Sequence, residues 1–211
     1  MSIRTILFDL DGTLIDTNEL IIASFMHTFS TFKYSFTREE IIEFNGPPLV
    51  DTFRKIDPDR VDELVQTYRE HNLREHDRYV KAFPYVHEVL NKLKEHGLKI
   101  GIVTTKMRGS VERGLDITNL NGYFDTIITL DDVSNPKPHP EPVVKAMEDL
   151  QATASSTIMV GDNSHDIEAG QNAGVKTAGV AWSFKGKDRL LQYNPTYMLE
   201  DMRDLLTIVG V

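Results

Sequence analysis

The chain has 211 residues, 40% of them hydrophobic, enough for one sizeable core with an inserted subdomain. It has no cysteine, which excludes disulfides and thiolate metal sites and fits a reducing compartment. The formal charge of −9 argues against broad contact with nucleic acid or anionic lipid, which are bound through dense Lys and Arg; a small anionic substrate would need a cation and a few placed basic groups.

The first apolar run is too short for a signal peptide, and nowhere do about eighteen apolar residues run together. A cytoplasmic protein with no membrane partner is the expectation. Residues 3–10 read as a buried strand. It ends in Phe8-Asp9-Leu10-Asp11-Gly12-Thr13, and strand alternation turns Asp9 and Asp11 to one side. Taken alone, Asp-Gly also fits an ordinary turn.

Residues 16–80 carry no convincing strand pattern. Helical spacing runs through 17–32 and 61–79, and Thr37 followed by Glu40 predicts a capping box. Bare loops of that length are rare in compact domains, so the segment reads as a helical insertion, a candidate lid, between core segments 1–15 and 81–211. From 14 to 82 there are nine Lys and Arg against thirteen Asp and Glu, so the lid is no basic clamp. Arg54, Arg69, His71, Arg74 and His76 could reach a substrate, and each also fits solvated helix surface.

Beyond the insertion, strand and helix alternate. A helix over 86–96 with Val86, Val89, Leu90 and Leu93 on one face stops at Gly97. The strand over 98–104 ends in hydroxyls, Thr104 and Thr105, and another follows over 126–130. Asn135-Pro136-Lys137-Pro138 holds a lysine between prolines, although rigid lysines also occur on plain loops. After a helix over 140–150, the strand over 157–161 leads into Gly161-Asp162-Asn163-Ser164-His165-Asp166. A helix over 166–173, a strand over 177–181 and a tail over 195–211, read as a short strand and a closing helix, complete the chain. This alternation predicts a doubly wound α/β core, with ligands bound at the carboxyl ends of the strands.

Four acids gathered there would repel one another without a cation, and oxygen-only ligands favour Mg²⁺ over zinc. Asp162 and Asp166 can equally be caps of the following helix. His165 reads as an exposed residue at a helix start.

In their order, Phe8 to Leu14, Thr104, Lys137 and Gly161 to Asp166 resemble the haloacid dehalogenase-like phosphatases over the whole chain. The resemblance implies a Rossmann-like parallel sheet of order 5-4-1-2-3 with a helical cap after the first motif. It also implies Asp9 as nucleophile, Asp11 as general acid and base, Thr104 with Thr105 as phosphate ligands, and Lys137 as the neutralising cation. Mg²⁺ would be held by Asp9, Asp162 and the backbone carbonyl of Asp11, with Asp166 in support. Asn45-Gly46-Pro47-Pro48-Leu49 resembles the cap segment of the phosphoglycolate phosphatase group, which makes Gly46, Pro47, Arg69 and His71 candidate cap contacts. Asn18 to Ile21, Lys176 to Trp182, Lys185-Gly186 and Pro195 to Leu199 are similar to PpaX-type bacterial pyrophosphatases, which implies inorganic pyrophosphate as the substrate. Phosphoglycolate or another small phosphomonoester is the nearest rival. A non-catalytic receiver domain is the rival from another class. One departure is Tyr85, where the resembled family carries Gly in a hinge-like segment.

Overall fold

Apolar runs with little polar alternation require burial on both faces, and a parallel sheet between helical layers supplies it. The computed structural model describes residues 2–211. In chain order its elements begin with strands β1 (Thr5–Phe8) and β2 (Ile15–Asp16), then helices α1 (Asn18–Thr31), α2 (Arg38–Glu43), α3 (Leu49–Ile56) and α4 (Val61–Tyr79). Strand β3 (Lys81–Ala82), α5 (Val86–Glu95), β4 (Lys99–Val103), α6 (Arg108–Ile117), β5 (Thr126–Ile128) and α7 (Glu141–Asp149) follow. The chain closes with β6 (Thr157–Gly161), α8 (Ser164–Asn172), β7 (Lys176–Val180), α9 (Lys187–Leu191), β8 (Tyr197–Leu199) and α10 (Asp204–Val209).

Six strands form one sheet in the order β5-β4-β1-β6-β7-β8. All its neighbours are parallel. Five of them follow the expected order; the tail strand β8 joins the same sheet beside β7 and extends it to six. Successive residues of β1 serve opposite layers, as strand geometry demands. Ile6 and Phe8 pack with Val89, Leu90, Val111 and Leu205, whereas Leu7 packs with Val143, Met147 and Ala169. Burial of β1 on both sides fixes the height at which its end emerges, and Asp9 sits there with its N–H donating to Val160 O at 2.9 Å.

The insertion has its own apolar cluster, built on Phe25, Phe29, Ile41, Phe53, Leu64 and Tyr68. Phe25 lies 4.8 Å from the Tyr68 ring and 5.6 Å from Phe53, in the tilted and edge-on arrangements that aromatic quadrupoles favour. The expected capping box is present: Glu40 N donates to Thr37 Oγ1 at 3.2 Å and Thr37 N donates to Glu40 Oε2 at 2.7 Å. The entry and exit of the insertion differ from the sequence reading. They pair as a short antiparallel ribbon, Ile15 opposite Ala82 and Asp16 opposite Lys81. No helix among the described residues is long and apolar enough to cross a membrane.

Tyr85 precedes α5 with φ of +65°, in the left-handed region that a side chain disfavours by roughly 1–2 kcal/mol. Its ring lies under the Arg203 guanidinium, 3.7 Å from the centroid. The backbone, not a side-chain contact, therefore explains why glycine suits this position. Tyr85→Gly is expected to unfold in urea with a stability about 1 kcal/mol above that of Tyr85→Ala; the opposite order would show that the left-handed backbone carries no cost.

Candidate active site

The site lies at the carboxyl ends of β1, β4 and β6, where the sheet order reverses direction on either side of β1. Its centre is the Lys137 ammonium, which donates to Asp9 Oδ1 at 2.8 Å, Asp166 Oδ1 at 2.6 Å and Val103 O at 2.8 Å. Burial alone would lower the Lys137 pKa, but the carboxylates of Asp166 and Asp9 overcome it and hold the ammonium above the ordinary lysine range.

Asp9, Asp162 and Asp166 are buried, and an oxygen from each lies within 4.8 Å of the others. Three carboxylates against the single ammonium of Lys137 leave a net charge of −2. Asp162 carries most of the imbalance, because its side chain receives only a long hydrogen bond from Thr13 Oγ1 at 3.4 Å. Burial, then the charges of Asp9 and Asp166, push its pKa well above the carboxylate range. Burial likewise pushes Asp9 up to about 7, with Lys137 opposing and Asp166 and Asp11 adding to the rise. A buried all-oxygen set of this charge fits one hard divalent cation.

Asp166 is a helix cap, as one of its sequence readings has it, and also an ionic partner. Its Oδ2 accepts from Asn163 N at 2.9 Å and closes the capping box of α8, while Oδ1 takes Lys137. Gly12, with φ of +82°, lets the loop after β1 turn so close to Asp162 that a Cβ there would collide with its carboxylate.

Asp11 stands apart from the three-carboxylate cluster, and Lys106 Nζ donates to its Oδ1 at 2.7 Å. Thr104 is buried, and its Oγ1 accepts from Lys106 N at 3.2 Å. Thr105 faces the insertion, its hydroxyl donating to Gly46 O at 3.3 Å. Above this floor lies a cavity of about 480 Å³ lined by all the core residues singled out in the sequence, together with Gly46, Pro47 and Arg69. Its insertion side is largely apolar, with Ile21, Phe25, Leu49 and Val50 in the wall.

Two sequence expectations need correction. His71 does not line the cavity: its Nδ1 is 3.1 Å from Ser24 Oγ on α1, and its ring stacks on His27 at 4.4 Å. The face of α4 that meets the cavity carries Tyr68, Asn72 and His76, spaced four residues apart. His165 is half-buried and lines the cavity instead of standing in solvent, and burial holds its pKa below the ordinary histidine value.

Several residues at the site have no role in the sequence reading. Lys106 is one, an isolated lysine two residues beyond Thr104. Ser183, whose Oγ donates to Asp162 O at 2.6 Å, and Lys185, whose Nζ donates to Asn45 O at 2.6 Å, are others. Only the pairing of β7 beside β6 brings their loop to the site.

A family model described as haloacid dehalogenase-like hydrolase matches residues 6–180. A protein named pyrophosphatase PpaX from Oceanobacillus iheyensis is 57% identical over 210 residues, covering 100% of this chain and 98% of that protein. One of the same name from Anoxybacillus flavithermus is 56% identical over 212 residues, covering 100% and 99%. Among solved structures, a hydrolase of the haloacid dehalogenase-like family from Streptococcus pneumoniae superposes with a TM-score of 0.86 at 28% identity, covering 97% of each chain. A strand-end acidic site of this form, a family match over most of the length and full-length relatives above half identity together make the chain a member of the haloacid dehalogenase-like hydrolases.

Proposed function

We propose that this phosphohydrolase cleaves inorganic pyrophosphate in two steps at Asp9, with Mg²⁺ that would be held by Asp9, Asp162 and the backbone carbonyl of Asp11 and supported by Asp166. The observation that carries this reading is the buried Asp9 carboxylate, fixed by Lys137 beside an under-neutralised Asp162 at the floor of a covered cavity. The choice of pyrophosphate rests on the full-length relatives that bear that name. The chain divides into a catalytic core, 1–15 and 81–211, and a cap, 16–80, whose separate apolar cluster supports that division.

Asp9 needs no general base, since a carboxylate is a competent nucleophile once ionised. One of its oxygens attacks phosphorus, the bond to the departing phosphate breaks, and Asp11 gives that phosphate a proton. Water then attacks the aspartyl phosphate, Asp11 takes its proton, and the Asp9 carboxylate is released with the second phosphate. Splitting the reaction replaces one difficult step with two easier ones. Lys106 orients Asp11 through the 2.7 Å ion pair. Thr104 binds a phosphoryl oxygen, Lys137 offsets the charge spread over these oxygens from its place beside Asp9, and Thr105 joins Thr104 when its hydroxyl turns from Gly46. Bound Mg²⁺ supplies the positive charge that keeps Asp9 and Asp162 ionised and lessens their repulsion of the substrate. The cap wall excludes water other than the nucleophile.

Asp9→Asn is expected to lower turnover by about 10⁴-fold or more while the variant remains folded; appreciable residual turnover would contradict the nucleophile role. Phosphate release measured across pyrophosphate, phosphoglycolate, sugar phosphates and nucleotides should show a clear preference for pyrophosphate and should vanish with EDTA. Comparable rates on many monoesters would remove the substrate assignment and leave the chemistry standing.

Metal-free stability provides a separate check on Asp9 and Asp162. Both have folded-state pKa values above those of the unfolded chain, so the folded form binds more protons and its stability falls as pH rises, through about 7 for Asp9. In EDTA, urea unfolding should show this decline, Asp162→Asn should flatten it, and Mg²⁺ should restore stability to the wild type only. A metal-free stability that rises from pH 5 to 8 would show that these carboxylates are not under-neutralised.

A further inference from the structure

Four core side chains from the segments after three strands converge on one short stretch of the insertion, residues 43–46. Lys185 Nζ donates to Asn45 O at 2.6 Å and to Glu43 O at 3.3 Å. Asn163 Nδ2 donates to the same Asn45 carbonyl at 3.2 Å. Thr105 Oγ1 donates to Gly46 O, and Arg189 pairs with the Glu43 carboxylate. These groups follow β4, β6 and β7, so the stretch is held from three sides of the site. Gly46, whose φ is +118°, lies so close to the core that any Cβ there would strike the Asn163 side chain.

Lys185 is the unusual member. A half-buried lysine ordinarily pairs with a carboxylate, yet the Glu43 carboxylate is taken by Arg189, and the Lys185 ammonium spends its donors on backbone carbonyls. Burial lowers its pKa, so it is held there at a cost that other contacts must offset. Its loop touches both sides of the cavity. Ser183 grips the Asp162 carbonyl, and Phe184 packs into the apolar cluster of the insertion.

We infer that Lys185 is a positioning residue for substrate, clamping residues 43–46 against the core so that Asn45, Gly46 and Pro47 form a fixed wall of the cavity. This rests on the phosphohydrolase reading of the cavity, though the clamp itself exists without substrate. Charge-assisted bonds to two carbonyls hold the segment seated, and their loss frees it to leave the core without altering Asp9, Asp11 or Lys137.

Lys185→Met keeps the stem and removes the donors; Lys185→Gln is the second variant should the first fold poorly, and Lys185→Arg keeps donors and charge. The Met and Gln variants are expected to raise KM for pyrophosphate about tenfold with kcat within about twofold of wild type, and the Arg variant to recover most of that loss. Chymotryptic cleavage after Phe44 in the substrate-free protein should accelerate by about the same factor, because it reads the released segment directly. Unchanged KM and unchanged cleavage would overturn the inference. So would a fall in kcat alone, or effects that merely track a lowered unfolding midpoint. If the wild type fails to turn over pyrophosphate, the substrate assignment falls, and the cleavage rates alone decide the clamp.

Discussion

An ammonium group has three N–H donors, and in this molecule all three of Lys137 are committed: one to Asp9, one to Asp166 and one to the carbonyl that ends β4. That saturation sets the site. It fixes the Asp9 carboxylate in rotation, draws the first turn of α8 toward β1 and leaves Asp162 with no cation of its own. Removing one partner of such a cluster leaves buried charges uncompensated, which costs far more than the cluster contributes as a whole. The surrounding fold is therefore committed to holding a strained electrostatic arrangement in place, and burial of β1 on both faces gives it the rigidity to do so.

Two cations serve three of the four acids, and Asp162 has none. Lys137 serves Asp9 and Asp166 while Lys106 serves Asp11, so the acid nearest Asp9 in sequence is paired with a different cation. The separation matters for chemistry in which one carboxylate must attack while its neighbour exchanges a proton. Asp166 adds economy of another kind. With one oxygen on a backbone N–H and the other on Lys137, it makes the helix cap and the ionic cluster a single object.

Much of the core was legible because its strands are continuous apolar runs and its acids stand at their ends. Residues 3–10 and 157–161 announced themselves in this way, and the Thr37 and Glu40 cap was visible from spacing alone. What was hidden lacked either length or pattern. The ribbon of Ile15–Asp16 and Lys81–Ala82 is too short to show a period of two. Helix α6 has the weak helix formers Gly109 and Ser110 in its first turn and buries little beyond Val111, Gly114 and Leu115. His71 was misplaced because periodicity reveals that α4 has faces, not which face meets the cavity. Lys106 occupies no motif and Lys185 lies in a stretch with no readable chemistry, and only the fold carries their side chains to the site.

Both ends of the insertion pass through one place, the two-residue ribbon, where neighbouring strands lie about 5 Å apart. The ribbon is continued by Phe83 N donating to Leu14 O at 3.0 Å. A body anchored at two adjacent points cannot slide away from its base. It can only tilt about the line they define, as a flap does on a narrow hinge. The segment clamped by Lys185 lies away from that line, so small angles at the ribbon become large displacements at the cavity wall. Such a lever makes the seating of residues 43–46 sensitive to a few hydrogen bonds.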